Sequence, residues 1–226
     1  VRATDTTRPG TAALAGVVMS NTTSYPDNLD WVGYNYQEYR YAEDHKAYPK
    51  RIIHGSENGM QLNAWNAVDS NDYISAQYLW TGIDYLGEAG RFPTRSNGAG
   101  LIDLAGFPKP EYYFRQSLWS EKPMIYIGTA PVPKSEDRGI WSHKRAAPNW
   151  CAKAGDTLRV NCFTNCSEAE LFLNGKSLGR KKRSDFPNRI VFWDLPYELG
   201  ELKAVGYEQS ASVANYSLAT PKAASL

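Results

Sequence analysis

The chain has no apolar run of about eighteen residues, the length that a membrane-spanning helix needs. Its first seven residues, Val1-Arg-Ala-Thr-Asp-Thr-Thr, hold no apolar core of the kind a signal peptide carries. Membrane insertion is therefore not expected. Charge of one sign is also missing: 25 Lys and Arg against 24 Asp and Glu leave a formal net charge of +1. That balance offers no electrostatic attraction for nucleic acid or an anionic membrane surface. Cysteine is scarce. Cys151, Cys162 and Cys166 are an odd set that suggests no disulfide framework. Only His143 lies near them in sequence, so buried thiols are expected and no metal site or cofactor. There is no internal repeat and no low-complexity segment.

Aromatic residues, in contrast, are abundant. The 226 residues include seven Trp and fifteen Tyr within a composition that is 42% hydrophobic and 22% charged. That suits a soluble globular protein of one large or two small domains. Three stretches share a pattern. Leu29-Asp-Trp-Val-Gly-Tyr-Asn-Tyr36, Arg51-Ile-Ile-His-Gly-Ser-Glu-Asn-Gly59 and Tyr78-Leu-Trp-Thr-Gly-Ile-Asp-Tyr85 each read as an apolar strand whose end carries aromatic and hydrogen-bonding side chains. The middle one places a single carboxylate, Glu57, after the small pair Gly55-Ser56. Aromatic platforms beside carboxylates suit sugar recognition, because a sugar offers an apolar ring face for stacking and hydroxyls for polar contacts.

Four phrases in order, Val32-Gly-Tyr-Asn-Tyr-Gln37, Ile53-His-Gly-Ser-Glu-Asn58, Leu79-Trp-Thr-Gly-Ile-Asp-Tyr-Leu-Gly-Glu88 and Gly100-Leu-Ile-Asp-Leu-Ala-Gly-Phe-Pro-Lys109, resemble the second half of the catalytic barrel of family-two glycoside hydrolases, with the bacterial beta-galactosidases the closest type. The resemblance runs from about Asp5 to Trp119. It implies the C-terminal half of a TIM (β/α)8 barrel, strands five to eight, over residues 1–120, and makes Glu57 the catalytic nucleophile at the end of strand seven. Acids at the carboxyl ends of barrel strands are where such enzymes place their chemistry.

Along the chain, Thr11 to Leu14 reads as strand five, Leu29 to Tyr36 as strand six, and Gln37 to Tyr48 as a short helix closed by Pro49. Strand seven ends at Glu57. Gly59 to Asn71 is expected to be an active-site loop, Asn71 to Gln77 a helical turn leading into strand eight, and Gly87 to Gly100 a long loop. Lys109 to Trp119 reads as a closing helix with Pro110 in its first turn. Residues 121–138, with Pro123, Pro131 and Pro133, read as a linker. Beyond Ile140 come short alternating runs with no helix between them, including Thr157 to Phe163, Ala169 to Leu173, Arg189 to Trp193, Leu202 to Tyr207 and Val213 to Leu218. Asn174-Gly175 is a strong hairpin signal. The expected fold is therefore α/β followed by all-β, with an immunoglobulin-like β-sandwich over residues 139–226. Leu171-Phe-Leu-Asn-Gly-Lys-Ser-Leu-Gly179 also resembles the sandwich that follows the barrel in many bacterial family members. The basic run Lys181-Lys-Arg183 reads as a solvated loop.

Hydrolysis of a glycoside uses two carboxyl groups across the scissile bond. Tyr36 is placed to orient Glu57 by donating a hydrogen bond. Trp80, Asn35, Asp84 and Trp65 are candidate sugar contacts, and Trp65 serves equally well as packing. His54 precedes Glu57 by three residues, so strict strand alternation puts it on the opposite face, in a packing role. The resemblance places the general acid/base on a Glu after an Asn at the end of barrel strand four; no Asn-Glu pair occurs in this chain. It thus implies a fragment that needs the N-terminal half of the same enzyme as a partner. Family members that cleave glucuronides carry an Asn-x-Lys motif after the nucleophile. No Lys lies between Asn58 and Pro108, although Arg91 and Arg95 do, and the missing Lys favours a neutral β-linked sugar. Two further readings stand beside the hydrolase: a non-catalytic carbohydrate-binding protein with Trp80 and Trp65 as platforms, and a purely structural Glu57 ion-paired with Arg8.

Overall fold

The computed structural model describes residues 3–133 and 146–222. The chain divides into two compact units, Val1–Gly82 and Ile83–Leu226.

The first unit is a four-stranded parallel sheet in the order β1 (Thr11–Leu14), β2 (Trp31–Asn35), β3 (Ile53–Asn58), β4 (Ile74–Leu79). Parallel neighbours need crossovers, and short helices supply them: α1 (Val17–Thr22), α2 (Tyr41–Ala47) and α3 (Leu62–Asp69). Helix α2 carries Glu43 and Asp44 in its first turn and His45 and Lys46 in its last, which complements its dipole. One face of the sheet closes a core of Leu14, Val17, Val32, Tyr34, Tyr41, Ile53 and Ile74.

That core contains a buried charge. The carboxylate of Asp44 is inaccessible to solvent. It accepts hydrogen bonds from Arg40 at 2.6 Å, Tyr34 at 2.8 Å and Asn21 at 3.2 Å. Arg51 donates to Asn21 and to Tyr34, lies 3.9 Å from Asp44, and stacks over the Tyr48 ring. The network ties α1, β2 and α2 together. Burial, the largest influence, pushes the Tyr34 hydroxyl well above its ordinary pKa, so it remains a donor.

The second unit begins with irregular chain held by paired segments around Ile83–Ile102 and Tyr85–Asn97, followed by α4 (Pro110–Trp119). Seven strands then form two antiparallel sheets. β5 (Ile125–Pro131), β6 (Thr157–Thr164) and β9 (Ile190–Pro196) make one, in the order β5-β6-β9. β7 (Glu168–Leu173), β8 (Lys176–Lys182), β10 (Glu201–Glu208) and β11 (Ala211–Ala219) make the other, in the order β11-β10-β7-β8. Alternate residues from both sheets meet in one core: Val160 and Cys162 from β6, Leu171 from β7, Val191 and Trp193 from β9, Leu202 and Ala204 from β10. Trp150 is fully buried there, its indole donating to the Glu198 carbonyl at 2.7 Å. Burial raises the Cys162 thiol far above its usual range, so it stays protonated. Cys166 is buried too, whereas Cys151 is exposed.

Several expectations change. The fourth parallel strand is Ile74–Leu79, not a strand starting at Tyr78: Ile74 pairs with Ile53 and completes the core, while the Asn71 side chain binds the Ala67 carbonyl and closes α3. Gly59 to Asn71 is not an open loop, because α3 forms there and buries Ala64 and Trp65. The stretch expected as a linker carries β5, whose Ile125 and Ile127 fill the core of the antiparallel unit; its residues from 134 onward, and His143, lie outside the described residues. The hairpin signal holds: Asn174 and Gly175 have φ of 52° and 80° and connect β7 to β8. Between Thr157 and Leu218 the only helical segment is a three-residue 3-10 turn, Arg183–Asp185.

Asp44→Asn should destabilise the parallel unit by about 3–5 kcal/mol, because it leaves Arg40 and Arg51 without the anion they surround. A lower midpoint of chemical denaturation with an unchanged slope is the expected measurement.

Candidate active site

The carboxyl ends of β2, β3 and β4 come together through backbone contacts. The register pairs Gly33 with His54 and Tyr34 with Gly55, but then Asn35 with Glu57. β3 therefore contains one residue more than β2 at this point. The pairing with β4 shows the same excess, Gly55 opposite Gln77 and Asn58 opposite Leu79. This β-bulge reverses the side-chain alternation. Asn58 turns toward α2, where it is fully buried and its amide lies 3.2 Å from the Tyr41 hydroxyl. Glu57, its neighbour, takes the opposite face together with Asn35, Gly33 and His54.

The sequence of β3 explains why the bulge fits. A Cβ on Gly55 would lie 1.7 Å from Asn58 Oδ1 and 2.7 Å from the Tyr41 hydroxyl. Only glycine leaves room for Asn58 to fold back under the strand. Gly33 is equally confined, since a Cβ there would sit 2.6 Å from the Ala12 carbonyl.

Tyr36 follows β2 with φ of 52°, a left-handed conformation unfavourable for a bulky residue. Its amide donates to the Glu57 carbonyl at 2.8 Å. On the other side, the Trp80 amide donates to the Asn58 carbonyl at 3.2 Å. The Trp80–Thr81 peptide is cis. Asn35, Tyr36, Glu57 and Trp80 are all half-buried. Four of the residues singled out from the sequence thus meet at one end of the parallel sheet.

Others do not join them. Trp65 lies in α3 and is only 4% exposed, so it packs and presents no open face to a sugar. Asp84 accepts from the Gly100 amide at 2.8 Å and pairs with Lys109 at 2.5 Å, while Lys109 also reaches the Gly98 carbonyl. Asp84 is a fastener for the chain between 98 and 109, not a free hydroxyl contact. Arg8 pairs with Asp5 at 2.7 Å. His54 is buried and packs edge-on with Trp31 and Tyr78. Its packing role stands, but the alternation argument for it does not, because the bulge puts it on the Glu57 face. Burial lowers its pKa and favours the neutral imidazole.

Sequence reasoning missed Asn58 and Glu38. Asn58 is the buried counterpart of the bulge, and Glu38 accepts the Gly59 amide at 3.3 Å just past the strand. The Gly-Ser pair before Glu57 was the available signal for such a close approach. Among the described residues, no group of three or more His, Cys, Asp or Glu side chains is arranged to hold a metal ion.

Comparison with known proteins places the chain in a family. A domain model described as a domain of unknown function, DUF4982, matches residues 155–214. Beta-galactosidase BoGH2A of Bacteroides ovatus is 37% identical over 156 residues, 68% of this chain and 16% of that protein. A Formosa agariphila protein assigned as a beta-glucuronidase is 38% identical over 161 residues, 69% of this chain and 14% of its own length. The crystal structure of a glycosyl hydrolase family 2 member from Bacteroides cellulosilyticus matches with a TM-score of 0.85 and 32% identity, covering 97% of this chain and 31% of that one. The chain thus spans about a sixth of its curated relatives and under a third of the solved one. Across both of its units, this chain belongs to family 2 of the glycoside hydrolases.

Proposed function

We propose that this chain is part of a retaining β-glycosidase, with Glu57 as the nucleophile that forms a covalent glycosyl-enzyme. On this reading residues 1–120 are the C-terminal half of the catalytic (β/α)8 barrel, strands five to eight. The antiparallel strands belong to an immunoglobulin-like sandwich, which takes in β5 as well as residues 139–226. The observation that carries the proposal is the bulge in β3. It turns Glu57 away from α2 and places it beside Asn35, with Tyr36 and Trp80 hydrogen-bonded to the same strand end.

The chemistry follows from that placement. An ionised Glu57 attacks the anomeric carbon while the glycosidic oxygen departs with a proton from a second carboxylic acid. Water, deprotonated by that same group, then releases the sugar. On this reading Tyr36 is the residue that positions Glu57, the Trp80 ring is the face on which the sugar stacks, and Asn35 is a hydroxyl contact. The proton donor belongs to a part of the longer enzyme outside these 226 residues. A retaining pair stands about 5–5.5 Å apart, and the completing half of the barrel brings the donor to that distance.

The substrate is a neutral β-linked sugar, a galactoside. A neutral sugar is favoured by the absence of Lys from Asn58 to Pro108, where the cations are Arg91 and Arg95. The named relatives include both a galactosidase and an assigned glucuronidase, and the choice of galactose rests on the resemblance of the four motifs to the bacterial beta-galactosidases.

In the longer enzyme, a slow 2-fluoro-galactoside should leave a covalent adduct on the peptide containing Glu57, seen by mass spectrometry. The corresponding fluoro-glucuronide should leave none. A non-catalytic sugar binder would show affinity without an adduct. Glu57→Gln should lower turnover by orders of magnitude with little change in melting temperature, because the charge serves chemistry more than folding.

The 226-residue chain alone should not hydrolyse a nitrophenyl galactoside at a useful rate. Loss of the general acid by itself costs about 10²–10⁴-fold, and the parallel sheet has unpaired edges at β1 and β4. Mixing with the N-terminal half should restore turnover. Robust activity of the chain by itself would place the acid among its own carboxylates, with Asp84 and Glu88 the first to replace.

A further inference from the structure

The antiparallel unit has a concave site of its own, about 720 Å³ in volume, between the β8–β9 connection and the β10–β11 turn. Lys182, Arg183 and Arg189 line it, together with the half-buried Phe186 and with Gln209 and Ser210. None of the three cations has an acidic partner among the described residues. Arg183 donates to the Cys166 carbonyl at 3.2 Å, which fixes its stem and leaves its charge unneutralised. The one acid lining the site, Glu168, is held by Arg180 at 3.4 Å. A chain of net charge +1 therefore gathers in one hollow three cations that have no ion-pair partner among the described residues.

The backbone around the hollow is also unusual. Of the seven non-glycine residues with positive φ among the described residues, three line it: Arg189 at 59°, Gln209 at 47° and Ser210 at 71°. Gln209 and Ser210 are the two central residues of the β10–β11 hairpin, since Glu208 pairs with Ala211. The β7–β8 hairpin has the same turn geometry and fills it with the favoured Asn174-Gly175. The second turn uses two side chains that this conformation disfavours, and both present hydrogen-bonding groups to the hollow. Strain of this kind is retained where it serves a site.

We propose that this hollow binds an anionic polysaccharide, a glycan chain bearing carboxylate or sulfate groups. The guanidinium and ammonium groups match such anions. The Phe186 ring gives one sugar face an apolar contact, and the Gln209 amide and Ser210 hydroxyl suit sugar hydroxyls. Three cations in one hollow make a local site and not the extended basic track that nucleic acid needs. The choice of a glycan rests on the glycosidase reading above; the hollow and its charge do not.

The test is affinity electrophoresis of the 226-residue chain in gels containing polygalacturonate, carrageenan, neutral galactan or duplex DNA. Retardation is expected in one or both anionic polysaccharides and not in galactan, and it should weaken with added salt. Retardation by polygalacturonate alone identifies a carboxylate ligand, and by carrageenan alone a sulfate ligand. Lys182→Glu combined with Arg189→Glu should weaken the association about tenfold or more, because two cations that meet the anion become two anions that repel it. Replacing the turn by Gln209→Asn with Ser210→Gly provides a second variant that keeps the fold. It should raise the melting temperature while weakening retention. No retardation in either anionic gel, equal retardation by DNA, or retention unchanged in both variants would overturn the proposal. Because the assay needs no turnover, a negative result here leaves the Glu57 adduct to be judged separately. Absence of that adduct with retention intact would refute the glycosidase reading and not the basic hollow.

Discussion

The extra residue in β3 is the constraint on which the parallel unit depends. With a regular strand, Glu57 would face the helices and Asn58 the open side. The bulge exchanges them, and each residue then finds a suitable environment: Asn58 buried against Tyr41, Glu57 half-buried beside Asn35. Gly55 makes the exchange sterically feasible, because any Cβ would collide with the folded-back Asn58. Tyr41 must in turn be held in place, and its helix is anchored through Arg40 and Asp44 to Tyr34 on the adjacent strand. An ion network centred on the buried Asp44 thus helps to set the position of a carboxylate on the other side of the sheet. Such networks contribute less to net stability than to having a single arrangement, since replacing both partners by apolar groups often costs little.

The antiparallel unit is built on a different basis. Its core is apolar and layered, with Trp150 filling the middle and period-two strands supplying each side. On its surface, Arg159 pairs across strands with Asp194 at 2.7 Å and Arg180 stacks on Tyr207. Exposed pairs like these add little to stability. The hollow near Phe186 stands out against this background because its cations lack such partners.

Family membership and site geometry address different questions. The relatives share the fold and the glycosidase class, but they carry names for different sugars. Sugar identity depends on a few side chains around the nucleophile, and a neutral sugar differs from an acidic one chiefly by a cation placed to meet the carboxylate. The candidate cation nearest the resemblance motifs, Lys109, is already committed to Asp84 and the Gly98 carbonyl.

The sequence by itself determined the pattern of elements in each part. Apolar strands ending in polar residues marked β2 and β3, alternating runs marked the sandwich strands, and Asn174-Gly175 named its own turn, because all three are local consequences of burial and backbone sterics. It also singled out Glu57, Tyr36, Trp80 and Asn35 through the resemblance they carry. Tertiary structure alone decided which way Glu57 points, since a one-residue bulge leaves no periodic trace and depends on the neighbouring strands and on Tyr41. It also decided that Asp84 is spent on Lys109, that Trp65 is buried in a helix, and that a proline-rich stretch holds a core strand. Each of those outcomes rests on partners distant in the chain, and a side chain's local sequence does not show whether such a partner will arrive.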